Sequence, residues 1–216
     1  MSVIKLDKIC FEYDKKTQVL HDISYEFEAG KIYAVVGRSG AGKTTLLSLL
    51  SGLASPTSGS IYYQNRDVEG MDKYDYRSKI VGVVFQSFNL LNNLSAIENI
   101  VLSMDIAGIK ESEKQKREKA YKLLESVGIS KAEGERRVLK LSGGQQQRVA
   151  IARALSHDPE VILADEPTGN LDGETQEEIL EILRKLADSG KCVIVVTHSP
   201  EVAKAADEVY SLSAIK

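Results

Sequence analysis

The sequence predicts an α/β fold with a mostly parallel sheet, an antiparallel β subdomain and a helical subdomain. Continuous apolar runs of four to six residues suit parallel strands buried on both faces, and the chain has four: KIYAVV (31–36), IVGVVF (80–85), VILA (161–164) and CVIVVT (192–197). Residues 87–157 change to helical patterning. We therefore predict one domain, residues 1–216, with a helical subdomain at about 87–157.

The other segments extend this arrangement. The N-terminal part predicts two strands, VIKLDKICFEY and DISYEFE, before a turn at Ala29 and Gly30. Residues 54–63 predict a turn and another strand, and residues 158–216 return to alternating strand and helix. The charged stretch 110–128 predicts a helix with a solvated face, whose apolar end is formed by Leu123, Leu124 and Val127.

Composition narrows the class of protein. The 216 residues carry a net charge of −3, which lacks the basic footprint of a nucleic-acid-binding protein. Cys10 and Cys192 are too few for a disulfide framework, and Cys192 begins a strand that looks buried. The N-terminus lacks the pattern of a signal peptide, and no apolar run reaches the length of a membrane span. We expect a cytoplasmic chain without nucleic-acid partners.

Residues 37–44, GRSGAGKT, fit the pattern of a phosphate-binding loop. An apolar strand precedes them and a helix-forming segment follows, which is the context that this loop requires. Glycines let the backbone approach closely, so the loop N–H groups and the helix N-terminus face an anion. Lys43 would reach the β- and γ-phosphates, and Thr44 would bind Mg²⁺. The alternative is a chance glycine turn.

Chemically useful residues follow each of the four apolar runs. Because ligands bind beyond the carboxyl ends of parallel strands, we expect these side chains to gather at one edge of the sheet with the phosphate-binding loop. Each alone has an ordinary explanation as a loop, turn or helix-start residue. The gathered set comprises Lys43, Thr44, Gln86, Asp165, Glu166 and His198.

The chemistry of these side chains predicts their roles. Asp165 would hold Mg²⁺ directly or through water, and the Gln86 amide oxygen would also reach the metal. Glu166 would orient or deprotonate the attacking water. His198 would donate a hydrogen bond to the γ-phosphate as its charge redistributes. Glu166, His198 and Gln86 are therefore the predicted catalytic residues, and Thr44, Gln86 and Asp165 the predicted metal ligands.

Two further features concern the nucleotide. Tyr13 lies before the loop, and its ring would stack on adenine, unless it is only an edge-strand tyrosine. Ser142 precedes GGQQQRVAIARAL and is placed as a helix N-cap, which would make a second anion-binding helix terminus. A small chain with two such elements suggests that one nucleotide is held from two sides by two copies of the chain.

Together these motifs resemble those of the nucleotide-binding subunits of ATP-binding cassette (ABC) transporters, over essentially the whole chain. LSGGQ is nearly diagnostic of that family. The motifs occur in family order: Tyr13, Walker A (37–44), the Q-loop Gln86, the signature (141–148), Walker B (161–166), the D-loop (170–172) and the switch His198.

The resemblance implies a phosphate-loop ATPase core that binds ATP and Mg²⁺ and forms a head-to-tail homodimer. ATP on one subunit's Walker A would be capped by Ser142, Gly143 and Gly144 of the other. Gln145 would belong to the same cap, and Asp172 would lie at the dimer seam. The implied contacts on the Walker A side are Tyr13, Gly37, Arg38, Ser39, Gly40, Ala41, Gly42, Lys43, Thr44 and Thr45.

FQSFNLL (85–91) and EPTGNLD (166–172) are similar to a group that contains lipoprotein-release, macrolide and antimicrobial-peptide efflux, and cell-division ATPases. GERRVLK before the signature and the terminal SLSAIK are less typical of it. The resemblance implies a separate integral membrane permease, attachment to the inner face of the membrane through it, and export or extraction of a hydrophobic or peptide-like substrate. The alternative is a non-transport regulatory ATPase on a membrane partner.

An apolar segment follows Gln86 and is too hydrophobic for an ordinary loop. We predict that some of its side chains line a groove for a short cytoplasmic helix of the membrane subunit. The alternative is that they form the local core of the helical subdomain. The side chains are Phe88, Leu90, Leu91 and Leu94.

Overall fold

The computed structural model describes residues 2–13, 18–169 and 171–213. Its central sheet is parallel throughout, in the strand order β10-β4-β9-β8-β7. The four apolar runs form four of these strands, as predicted. The strands are β4 (Ile32–Val36), β7 (Val81–Val84), β8 (Val161–Asp165), β9 (Cys192–Thr197) and β10 (Glu208–Ser211).

A second sheet is antiparallel and is formed by the N-terminal strands. Its order is β2-β1-β5-β6, and β3 also pairs with β1. The segment DISYEFE was predicted as one strand, but the structure divides it between β2 and β3, with a break at Ser24 and Tyr25. The strands are β1 (Ser2–Glu12), β2 (Gln18–Ile23), β3 (Glu26–Glu28), β5 (Ser58–Tyr63) and β6 (Arg66–Asp67).

Helices cover the parallel sheet. The first helix of the predicted helical segment begins at Ala96 and not near residue 87, because the preceding residues form turns. No helix within the described ranges combines the length and apolar character needed to cross a bilayer. The helices are α1 (Lys43–Leu50), α2 (Lys73–Asp75), α3 (Ala96–Ile106), α4 (Glu113–Ser126), α5 (Lys131–Gly134), α6 (Gly143–Ala154), α7 (Gly173–Asp188) and α8 (Pro200–Ala205).

Two apolar cores share the parallel sheet. Along β8, Ile162 and Ala164 pack into the cluster that contains α3, α6 and α7, whereas Val161 and Leu163 pack into the cluster that contains α1 and the antiparallel sheet. Successive side chains of a strand point to opposite faces, so a sheet with a core on each side needs continuous apolar strands. Cys192 belongs to the second core, and burial raises the pKa of its thiol to about 12.

Candidate nucleotide site

The phosphate-binding loop joins β4 to α1 and owes its shape to glycine. Gly40 and Gly42 have φ values of 79° and 86°, in the left-handed region that favours glycine. Gly42 is the N-cap of α1, and a Cβ there would lie 2.8 Å from Leu20 Cδ2. A larger residue would therefore strain the backbone and clash with β2. Ala41 is buried and, unlike the other predicted residues of the loop, does not line the cavity above it.

Lys43 lies at the centre of this loop. Its Nζ donates hydrogen bonds to the carbonyl oxygens of Gly37 at 2.8 Å and Arg38 at 3.3 Å. These bonds hold the ammonium group among the loop N–H groups at the start of α1. The geometry suits a group that binds the outer phosphates of a nucleotide.

A cavity of about 720 Å³ opens above the loop at the carboxyl edge of the parallel sheet. The structure thus brings together the residues predicted from the ends of the apolar runs. Val19, which the sequence analysis did not identify, also lines the cavity. Its lining consists of Tyr13, Val19, Gly37, Arg38, Ser39, Gly40, Gly42, Lys43, Thr44, Thr45, Gln86, Asp165, Glu166 and His198.

Glu166 is the most constrained acid of the site. Its φ is 45°, a left-handed conformation that costs a non-glycine residue about 1–3 kcal/mol. Oε2 accepts hydrogen bonds from Thr197 Oγ1 at 2.9 Å and from the His198 backbone N–H at 3.2 Å. Oε1 lies 2.7 Å from His198 Nδ1. The surroundings therefore fix both the backbone and the carboxylate of Glu166.

Thr197 was not identified from the sequence, although it is the last residue of the CVIVVT run, directly before His198. It is fully buried, so its hydroxyl group is held in place for Glu166. A hydroxyl residue at the end of a buried apolar strand is the signal that could have identified it.

Three oxygen donors at the cavity fit a divalent cation. They are the Thr44 hydroxyl, the Gln86 amide oxygen and the Asp165 carboxylate, which are ligand types that Mg²⁺ accepts. Burial raises the pKa of Asp165, the charge of Glu166 adds to the effect, and Lys43 opposes it. The positive charge of a cation beside Asp165 would favour its ionised form.

Tyr13 lies one residue beyond β1, so it is not a strand residue as the alternative interpretation supposed. Its side chain is 70% exposed at the rim of the cavity, and its hydroxyl group lies 3.0 Å from Thr45 Oγ1. The ring packs edge to face against Phe11, with the centroids 5.1 Å apart. An anchored and exposed ring at this rim can stack on a planar base.

The signature begins α6, and Ser142 is its N-cap, as predicted. Ser142 Oγ accepts from the Gln145 N–H, and Gln145 Oε1 accepts from the Ser142 N–H, which makes a capping box. Gln145 Nε2 donates to Glu133 Oε1 at 2.7 Å. The side chain of Gln145 is thus occupied within its own chain, whereas Ser142 and Gly143 are exposed.

The signature packs against the D-loop of the same chain. A Cβ at Gly144 would lie 2.4 Å from Thr175 Cγ2, so a larger residue there would force Thr175, in the first turn of α7, to shift. Asp172 is the N-cap of α7 and accepts from the Thr175 N–H at 2.9 Å and the Thr175 hydroxyl at 3.0 Å. The Thr175 N–H bond lowers the pKa of Asp172. The D-loop residue Asn170 lies outside the described residues.

Comparison with known proteins identifies the family of the chain. The chain matches the model of the ABC transporter family over residues 20–169. It is 44% identical to the uncharacterized ABC transporter ATP-binding protein YclH of Bacillus subtilis (strain 168), over 96% of this chain and 92% of that protein. It is also 44% identical to the macrolide export ATP-binding/permease protein MacB of Bradyrhizobium diazoefficiens, over 97% of this chain and 33% of that protein.

The fold has close structural relatives as well. The dimeric post-hydrolysis structure of the ATP-binding cassette MJ0796, bound to ADP and Pi, superposes with a TM-score of 0.89 at 34% identity. The match covers 99% of this chain and 97% of that one.

The chain therefore belongs to the ABC transporter family, and its α/β fold is that of the family's cassettes, as predicted. More particularly, it is an ATP-binding subunit of an ABC transporter and an ATPase.

Proposed function

We propose that the chain drives a separate membrane subunit by closing, with ATP, into a head-to-tail dimer with shared active sites. One observation carries this proposal. Among the described residues that line the cavity, none comes from the signature, although α6 presents an exposed N-terminus suited to an anion. The signature's natural ligand is then a nucleotide held by another subunit. The cassette MJ0796, which is dimeric with ADP and Pi bound, supports a nucleotide-bound dimer.

Within one site, each residue has a role that follows from its position. Lys43 and the loop N–H groups bind the phosphates, and Tyr13 stacks on the base. Thr44, Gln86 and Asp165 would hold Mg²⁺, which supplies positive charge against the transferring phosphoryl group. The second subunit completes the enclosure of the nucleotide with Ser142, Gly143, Gly144 and Gln145. Asp172 lies at the interface between the two subunits.

Glu166 and His198 act on the hydrolytic step. The Glu166 carboxylate lies at the cavity wall, where it can accept a proton from an attacking water. The imidazole of His198 contacts Glu166 through Nδ1, and Nε2 can donate a hydrogen bond to a phosphate oxygen when both ring nitrogens carry a proton. Closure excludes bulk water, and loss of the γ-phosphate removes the contacts that favour the closed dimer.

Lys43→Ala is expected to weaken ATP binding about 10- to 100-fold, because the substitution removes a charge-assisted hydrogen bond to phosphate. Isothermal titration calorimetry with ATP and Mg²⁺ measures the effect. Lys122→Ala, which removes an exposed lysine of α4, is the control and should bind ATP like the parent. Equal affinity in Lys43→Ala and the parent would contradict the assignment of the loop.

We further propose that the function is export or extraction of a hydrophobic or peptide-like substrate, and that the chain attaches to the inner face of the membrane through its partner. Similarity to MacB, a macrolide export protein that contains ATP-binding and permease parts, supports this class. A regulatory ATPase on a membrane partner has the same catalytic residues. Identifying the membrane protein that copurifies with the chain and assaying transport by the pair distinguishes the two.

The membrane partner needs a docking surface. The four apolar side chains predicted for this surface differ in how far they are buried. Leu90 packs against the core of the helical subdomain, as the alternative interpretation held, and Phe88 and Leu94 are half-buried. Leu91 is 51% exposed. Tyr74 and Ile106, which the prediction did not include, are also exposed and flank a hollow of about 180 Å³. The surface proposed for a short helix of the partner is the hollow flanked by Tyr74 and Ile106. Leu91 is a further exposed apolar candidate for the contact.

Leu91→Glu and Ile106→Glu are expected to abolish copurification of the membrane subunit from solubilised membranes, because a charge would be buried against an apolar helix. ATP binding should stay at the parent's level. Val209→Glu, at an exposed position on the edge strand β10, is the matched control. Retention of the membrane subunit by both glutamate variants would place the docking surface elsewhere.

A further inference from the structure

Gln147 on the signature helix carries a buried side-chain amide. Its side chain is 1% exposed, and within residues 2–13, 18–169 and 171–213 neither Oε1 nor Nε2 has a hydrogen-bond partner. The buried amide of Asn99 differs, because it bonds to both backbone groups of Leu91 and to the Ser95 carbonyl oxygen. Proteins pair nearly all buried polar groups, so the isolation of Gln147 requires an explanation.

The position of Gln147 in α6 gives that explanation. Helical side chains lean toward the preceding turn, which here contains Gly143 and Gly144. A Cβ at Gly143 would lie 3.8 Å from Leu171 Cδ2 and 4.0 Å from Phe88 Cζ. Gln147 therefore lies one helical turn from the place where α6 meets two loop segments, one after Gln86 and one after Glu166.

Both segments begin at the nucleotide cavity, which Gln86 and Glu166 line. The two segments also approach each other, because Gln86 Nε2 lies 3.1 Å from the position of a Cβ on Gly169. Phe88 and Asn89 have φ values of 59° and 50°, so the first segment is held in a strained conformation. A ligand that moves Gln86 therefore changes the backbone groups that both segments offer to α6.

We propose that Gln147 is a positioning residue for the closed, ATP-bound dimer, whose amide bonds to the backbone of the segments that follow Gln86 and Glu166 once ATP is bound. The new bonds favour the closed dimer, and the residue touches neither nucleotide nor water. This inference rests on the proposed ATP-driven closure. It explains why a polar side chain occupies a position where an apolar one would pack better without nucleotide.

The test uses a Glu166→Gln background, in which hydrolysis does not consume the dimer. Gln147→Met keeps the side-chain volume and removes the proposed hydrogen bonds. If Gln147→Met fails to fold, Gln147→Leu is used in its place. Met104→Leu, a conservative change at a fully buried position of α3, is the control. The measurements are the melting temperature without nucleotide and the dimer dissociation constant by analytical ultracentrifugation, with ATP and with ADP.

We expect Gln147→Met to melt at the parent's temperature or above, and to weaken the ATP-bound dimer about tenfold, since one or two hydrogen bonds are lost per subunit. Met104→Leu should dimerise like the parent. An unchanged dissociation constant with ATP overturns the inference, whether or not the melting temperature falls. If the Glu166→Gln parent itself stays monomeric with ATP, the proposed closure fails together with the inference.

Discussion

Glu166→Gln is expected to lower the rate of ATP hydrolysis about 10²- to 10⁴-fold while ATP still binds. The amide oxygen of the new residue can take the place of Oε2 and accept from Thr197 Oγ1 and the His198 N–H. The amide NH₂ group can then face His198 Nδ1 in the place of Oε1. The substitution thus preserves the shape of the site and removes only the basic oxygen.

The same variant should accumulate an ATP-bound dimer that size-exclusion chromatography detects, because the bound nucleotide is no longer hydrolysed. Glu201→Gln removes an equal charge from an exposed carboxylate at the start of α8 and should hydrolyse ATP normally. Near-normal turnover by Glu166→Gln would exclude Glu166 as the base.

Ser142→Arg alone and Lys43→Ala alone are expected to be inactive, whereas a mixture of the two recovers hydrolysis. In the mixed dimer, one site carries both lesions, and the other combines an intact Walker A with an intact signature. We expect this one intact site to hydrolyse ATP at a measurable rate. The ATPase rate should therefore reach a maximum near equal amounts of the two chains.

The competing explanation for Ser142 is stability, since losing an N-cap costs about 1 kcal/mol. Ser112→Arg removes a capping box of the same geometry from α4 and serves as the matched control, which should remain active. If each site lies within one chain, mixing restores nothing, and the rate stays flat at the level of the single variants.

Local sequence pattern was sufficient for much of the fold and of the site. The buried strands were predictable because a sheet with a core on both faces requires apolar residues at every position, as along β8 and β9. The gathering of Lys43, Asp165 and Glu166 followed from the shared edge of parallel strands. The N-cap at Ser142 followed from residue type alone.

Features set by distant contacts were not predictable. The turns at Phe88 and Asn89 depend on Arg153, which donates to both of their carbonyl groups from more than sixty residues away. Leu90 and Leu91 are neighbours of similar hydrophobicity, yet only Leu91 is exposed, because Leu90 packs against the core. The place of Val19 in the cavity wall depends on the position of β2 beside α1.

The guanidinium group of Arg153 has a consequence for cooperativity. Because it binds the carbonyl groups of Phe88 and Asn89, the segment that carries Gln86 and the helix that begins at the signature are joined within one chain. Burial lowers the pKa of Arg153, but an arginine remains charged at physiological pH, so this connection does not loosen with ordinary acidity changes. In the proposed dimer, occupancy of one site would then alter the surface offered to the other nucleotide, and we expect the dependence of the rate on ATP concentration to be sigmoidal.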